Sequence, residues 1–147
     1  VGMVLAALSL VPLAIVVALF TLSLAAGLDP GVQKTARRLF LGVWLNEGAN
    51  LLLKQLIRQP RPTGGDKIDY GMPSSHAQFM MFMVAMSDDL YLLQCLRLPR
   101  GVWRLFVLLV AMSVCYGRVY LGYHDWAQVG VGMVCGLLTG RLTRFLF

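Results

Sequence analysis

The chain opens on an apolar run of about 27 residues, Val1 to Gly27, in which no side chain is charged. A helix rises 1.5 Å per residue, so roughly 20 apolar residues cross the hydrocarbon core of a bilayer. A run of this length and purity is hard to bury in a water-soluble fold, and it sets the terms for the rest of the chain. Four further apolar stretches follow it. Hydrophobic residues make up 58% of the 147 and charged residues 14%, and the mean hydropathy is +0.70. A domain of this size cannot hide so much apolar surface from water, so the bilayer itself is its expected partner. The stretches do not alternate with a period of two, as the strands of a membrane barrel would. The expected fold is all-α: an integral membrane helical bundle of about five transmembrane helices, forming one membrane-embedded domain over residues 1–147.

The expected spans are about 4–27, 39–57, 75–96, 102–121 and 126–146, with Pro12 as a candidate kink in the first. Opening at Val1 with no basic stretch before it, the first run exceeds a secretory apolar segment; it reads as a retained span, and the chain as a fragment. Leu28 to Arg38 reads as a loop built on the turn chemistry of Asp29-Pro30-Gly31. Arg61 to Met72 (RPTGGDKIDYGM) is too polar and glycine-rich for a helix. Asp88 and Asp89 interrupt the third span roughly 20 Å along its axis from Ser75. Arg97 or Arg100 are their expected partners, and no catalytic role is assigned to the pair. Cys95, Cys115 and Cys135 lie in apolar stretches without a CxxC pair and read as packing residues.

The net charge is +6, but the cations sit at the ends of apolar segments, which points to membrane topology and not to nucleic acid. Even spans end, and odd spans begin, on a side that holds Lys54, Arg58, Arg61, Lys67 and Arg118. The other side holds Lys34, Arg37, Arg38, Arg97, Arg100, Arg104, Arg141 and Arg144. The positive-inside rule places the first group on the non-cytoplasmic face.

That face gathers three short polar islands: Lys54 to Pro62 (KQLIRQPRP), Pro73 to His76 (PSSH) and Arg118 to Gln128 (RVYLGYHDWAQ). They contain both histidines of the chain. Charge at a membrane boundary is costly and usually has a task. In the second span Asn46, Asn50, Lys54 and Arg58 recur every four residues, with Glu47 beside them, drawing one polar stripe down the helix. For the asparagines, helix–helix contact and a functional role stand equally. Lys54 and Arg61 converge on the boundary where the other islands surface. Ser74 and Ser75 suit a helix start, where free backbone N–H groups form an anion site, and capping alone would explain them. Capping does not explain His76 in the first turn. His124 and Gln128 share a helix face if the fifth helix begins near His124. Tyr120, Tyr123 and Trp126 fit an interfacial aromatic belt.

These groups suit phosphoryl transfer. Lys54, Arg61 and Arg118 can spread charge over the equatorial oxygens of a phosphoryl group. One imidazole can attack phosphorus while the other protonates the leaving oxygen. With no HExxH and no acidic cluster near the histidines, no metal and no cofactor is expected.

Lys54-x6-Arg61-Pro62, Pro73-Ser74-Ser75-His76 and Arg118-x5-His124 together resemble the three-part signature of the type-2 phosphatidic acid phosphatase superfamily, membrane helical-bundle phosphatases that work through a phosphohistidine. Within it, LNEGANLLLKQLIRQPRP (Leu45 to Pro62), YGMPSSHAQFM (Tyr70 to Met80) and RVYLGYHDWAQV (Arg118 to Val129) are most similar to the dolichyldiphosphatase branch. The resemblance implies His124 as nucleophile and His76 as general acid, with Lys54, Arg61, Ser74, Ser75 and Arg118 binding phosphate. It also implies an isoprenoid diphosphate lipid as substrate, and a multi-pass protein of the endoplasmic reticulum membrane with a lumen-facing site. Ser75 stands where the general pattern has glycine. Gln128 stands where it has the aspartate that orients the nucleophile; a glutamine carbonyl can accept the imidazole N–H but brings no negative charge. Asp125 and Glu47 are the candidate substitute charges, Asp125 pointing about 100° from His124 on a helix. Glu47 also fits neutralisation of a buried cation. The open alternatives are a phosphatase for another lipid phosphate, such as undecaprenyl diphosphate or phosphatidate, and a catalytically silent lipid-phosphate binder. Oligomeric state is left unassigned.

Overall fold

The computed structural model of the chain describes residues 2–25, 27–62, 70–93 and 98–147. Among these residues the helices are α1 (Gly2–Leu8), α2 (Val11–Leu24), α3 (Pro30–Ile57), α4 (Ser75–Ala85), α5 (Ser87–Leu93), α6 (Arg100–Tyr120) and α7 (Trp126–Leu146), with no strand. The fold is all-α, as the hydropathy pattern requires. Three stretches are long and apolar enough to cross a membrane: Gly2–Leu24, Arg100–Tyr120 and Trp126–Leu146. α3 is longer, at 28 residues, but carries several charges.

The first apolar run is two helices, separated at Ser9 and Leu10. Pro12 has no N–H and its ring crowds the carbonyl four residues earlier, so an α-helix cannot run through it unbroken. The last turn of α1 tightens, with Leu10 N on the Ala7 carbonyl at 3.0 Å, and α2 starts afresh with Ala14 N on the Leu10 carbonyl at 3.1 Å.

The loop expected over Leu28 to Arg38 is mostly helix. Asp29 caps α3, its side chain accepting from Gly31 N at 2.8 Å and Val32 N at 3.2 Å, with Pro30 in the first helical position. The turn chemistry is that of a helix start. Lys34, Arg37 and Arg38 therefore ride on α3. The third apolar stretch breaks at Met86, and Asp88 and Asp89 fall in the first turn of α5, where carboxylates suit the positive end of the helix dipole. Lys67 and most of the polar loop (63–69), and Cys95 and Arg97 at the far end of the third stretch (94–97), lie outside the described residues.

Helix α4 is the axis of the bundle. Ala77 to Met83 are all buried, against Leu19 of α2, Leu39 and Val43 of α3 and Ala111 and Val114 of α6. Its tightest neighbour is α7. A Cβ at Gly132 would stand 2.6 Å from the Ser74 carbonyl, and one at Gly136 would collide with the backbone of Gln78. Small residues four apart let two membrane helices touch backbone to backbone. Here they draw the start of α4 against the start of α7. Outward faces remain apolar, with Leu51, Leu52, Leu105, Leu109, Val134 and Leu138 exposed, as suits contact with lipid tails.

Asn46 and Asn50 are buried glue. Asn50 Nδ2 donates to Gln78 Oε1 at 2.8 Å, Gln78 Nε2 to the Asn46 carbonyl at 2.8 Å, and Thr139 Oγ1 to Asn46 Oδ1 at 2.6 Å. The chain of bonds ties α3, α4 and α7 together, so helix–helix contact is the role the asparagines fill. Arg58 leaves the stripe: it is the C-cap of α3 in the left-handed region (φ 53°), and its side chain turns back to Gln55.

Candidate active site

The spacing of Arg118 and His124 has a local cause. The chain turns off the end of α6 through Gly122 (φ 75°), and the backbone N–H groups of Tyr123 and His124 both donate to the Arg118 carbonyl, at 3.1 and 3.2 Å. The seven residues from Arg118 to His124 thus form one knot that holds the imidazole beside the arginine. His124 is 3% exposed and Arg118 7% exposed. The Arg118 guanidinium lies over the Tyr123 ring, 4.3 Å from its centroid, and Nη1 donates to Ser9 Oγ at 3.2 Å. Tyr123 thus has a task beyond an aromatic belt.

The orientation of His124 is fixed from α7. Its Nδ1 lies 3.0 Å from Gln128 Oε1, while Gln128 Nε2 donates to the Pro60 carbonyl at 2.9 Å. The second bond decides which end of the amide faces the ring. An accepting oxygen on Nδ1 puts the imidazole proton there and leaves Nε2 with its lone pair. Gly71 packs on the other side of the amide, where a Cβ would meet it at 2.6 to 2.8 Å. Asp125 is not the substitute charge: it caps α7, accepting from Gln128 N at 2.8 Å.

Ser74 sits at the N-cap of α4, yet its side chain makes no capping bond. Its backbone N–H instead donates to the Gln128 carbonyl at 3.1 Å, pinning the start of α4 to the first turn of α7. The Ser74 hydroxyl is fully buried and, like Arg118 Nε, has no hydrogen-bond partner among the described residues. His76, in the first turn of α4, places Nε2 3.2 Å from the Ser9 carbonyl. Lys54 and Arg61, both half-buried, act electrostatically on both imidazoles, as does Arg118. Burial, then the three cations, holds His124 down at about 4 from its ordinary value; the Gln128 bond pulls the other way. Ser75 and His76 line an apolar cavity of about 260 Å³ together with Pro12, Val16, Trp44 and Glu47. Glu47 makes no ion pair among the described residues.

All eight site residues expected from the sequence gather at one end of the bundle. Sequence reading missed Ser9, Pro60 and Gly71. Pro12 marked the break that presents Ser9, but nothing local indicated what the break would face. Among the described residues, no three His, Cys, Asp or Glu side chains are placed to hold a metal ion.

The family model of the PAP2 superfamily matches residues 35–146, a span that holds all three motifs. The chain belongs to the PAP2 superfamily. It is similar to dolichyldiphosphatase 1 of Homo sapiens, 42% identical over 122 residues, which cover 72% of this chain and 50% of that protein. The Mus musculus dolichyldiphosphatase 1 is 40% identical over 154 residues, covering 93% of this chain and 61% of the relative. The dolichyldiphosphatase of Saccharomyces cerevisiae is 37% identical over 117 residues, 71% of this chain. The chain spans about half to three fifths of the length of these relatives. No solved structure matches it. The PAP2 match begins within α3, so α1, α2 and the break at Ser9 between them lie outside it.

Proposed function

We propose that this PAP2 chain hydrolyses an isoprenoid diphosphate, dolichyl diphosphate, to dolichyl phosphate and inorganic phosphate through a phosphohistidine on His124. The observation that carries the reading is the Gln128 amide, anchored by Pro60 and Gly71, which leaves His124 Nε2 as the nucleophilic nitrogen. Nε2 attacks the terminal phosphorus, and the bond from phosphorus to the bridging oxygen breaks as protonated His76 gives that oxygen its proton. Water then attacks the phosphohistidine, His76 takes the water proton, and phosphate leaves His124 free. Lys54, Arg61 and Arg118 hold the phosphoryl oxygens, and Arg118 Nε and the Ser74 hydroxyl are buried groups in want of an acceptor or donor. The apolar cavity beside His76 suits the first units of the lipid tail, which enters sideways from the bilayer between α2 and α3. The relatives' name supplies the dolichyl tail and the diphosphate head group. The charge count and that name favour an endoplasmic reticulum membrane with the site facing the lumen, where the enzyme would recycle the glycosyl carrier lipid of protein N-glycosylation.

The test is phosphate release from dolichyl diphosphate by purified protein in EDTA, beside undecaprenyl diphosphate and phosphatidate. Release fastest from dolichyl diphosphate, with a phosphorylated histidine trapped by acid-free quench, supports the reading. Faster release from another lipid moves the substrate assignment, and no release from any of them leaves a lipid-phosphate binder.

A further inference from the structure

We propose that Ser9, presented by the Pro12 break in the N-terminal apolar run, is a positioning residue of the active site that holds His76 through its carbonyl and Arg118 through its hydroxyl. The inference rests on the phosphatase reading of those two residues.

In an unbroken helix the Ser9 carbonyl would accept from the backbone four residues on, and its hydroxyl would face lipid or a neighbouring turn. The break changes the first. The carbonyl accepts instead from His76 Nε2 at 3.2 Å. A carbonyl can only accept, so the Nε2 position of His76 carries the proton and Nδ1 is the nitrogen left to serve substrate. This is the same service that Gln128 performs for His124, delivered by backbone and on the opposite ring nitrogen. The Ser9 hydroxyl donates to the Leu5 carbonyl at 3.2 Å, which aims a lone pair at Arg118 Nη1, also at 3.2 Å. With Tyr123 beneath the guanidinium and Ser9 on Nη1, Arg118 has one rotational position, and its Nε stays available to a phosphoryl oxygen. α1 is seated for this by Leu5, packed against Gly117 one residue before Arg118. Pro12 also lines the cavity that His76 and Ser75 share, so one short break places a catalytic support and a cavity wall together. The N-terminal helices are thus part of the reaction centre.

Purified full chain in detergent with dolichyl diphosphate tests this. Ser9→Ala is expected to lower kcat about tenfold with KM nearly unchanged and thermal unfolding unaltered, and Ser9→Thr to restore it. In an Arg118→Lys background, Ser9→Ala should cost nothing further, because the bonded Nη1 is already gone. For the carbonyl, nitrogen NMR of labelled imidazoles should show His76 as the Nε2–H tautomer. Pro12→Ala, which lets the helix run through and draws the carbonyl into a bond with Leu13, should lose that preference. Wild-type kcat in Ser9→Ala, full additivity with Arg118→Lys, or an Nδ1–H tautomer in the wild type overturns the proposal. If His76→Ala and Arg118→Ala themselves release phosphate at the normal rate, the catalytic assignment of those two residues fails. If those two are inactive while Ser9→Ala is normal, only the role of Ser9 fails.

Discussion

Both ends of the bundle concentrate arginines, but their neighbours differ. At the end away from the motifs, Asp89 pairs with Arg38 and, at 3.4 Å, with Arg144, while Asp88 pairs with Arg104 at 2.7 Å and Arg144 at 3.5 Å. Arg100 lies over the Tyr91 ring. These contacts tie the starts of α3, α5 and α6 to the end of α7, so that charge there closes the bundle. At the motif end, Arg118 meets a hydroxyl and a ring face, and the imidazole of His124 is oriented by an amide. The Asp125 carboxylate there accepts from the backbone of α7. Arginines matched by carboxylates make a clasp, whereas Arg118, which meets only neutral groups among the described residues, keeps its field for an incoming anion.

The sharpest way to break this contrast is His124→Ala, which should lower phosphate release by roughly ten-thousand-fold or more while leaving thermal unfolding in place. Normal turnover would remove His124 as nucleophile. Gly71→Ala comes next: its new methyl would push on the Gln128 amide and tilt His124, costing about a hundredfold in kcat with little change in stability. Unchanged activity would mean that the amide does not set the ring. At the clasp the signs reverse. Asp89→Asn should cost about 2 kcal/mol of stability, because a buried carboxylate leaves two half-exposed arginines behind, with activity kept at temperatures where the protein is folded. Asp88→Asn, on a half-exposed side chain, should cost about 0.5 kcal/mol at most. A large activity loss in either variant would contradict the division of labour.

The smallest effect concerns pH. His124 is held at about 4, so the neutral nucleophile persists on acidification until about pH 4. An ordinary histidine would be about nine-tenths protonated at pH 5.5. Phosphohistidine formation measured against pH should therefore keep its rate well below pH 6.5. Gln128→Asp places a negative charge on Nδ1, which favours imidazolium and moves the acid limb to higher pH, with activity at pH 7 kept within about tenfold. An unmoved limb would detach Gln128 from His124; an inactive enzyme would mean that the pocket is built around a neutral acceptor.

Much of the site was legible because its chemistry is rare in an apolar chain. Lys54, Arg61, Ser74, Ser75, His76, Arg118, His124 and Gln128 stood out by type, and turns such as Asp125 capping α7 kept them at one end. Other features followed the wrong local cue. Asp29-Pro30-Gly31 reads equally as a turn or a helix start, and only the bonds from Gly31 and Val32 decide between them. Ser74 has the composition of a cap, but its hydroxyl makes no capping bond, and its backbone N–H donates to the Gln128 carbonyl instead. The glycines at 132, 136 and 140 recur every four residues, and their meaning appears only against α4.

By itself the sequence determined that the chain is helical and membrane-bound, and which side chains are the candidates for its chemistry. Both follow from composition and period, which are local and need no partner. Tertiary structure decided which residues meet which candidate group: Pro60 and Gly71 on the Gln128 amide, Tyr123 and Ser9 on Arg118, and Ser9 on His76. Ser9 and His76 are 67 residues apart in the chain. No periodicity reaches across that distance, because their contact exists only when a helix broken by one proline packs against the start of another.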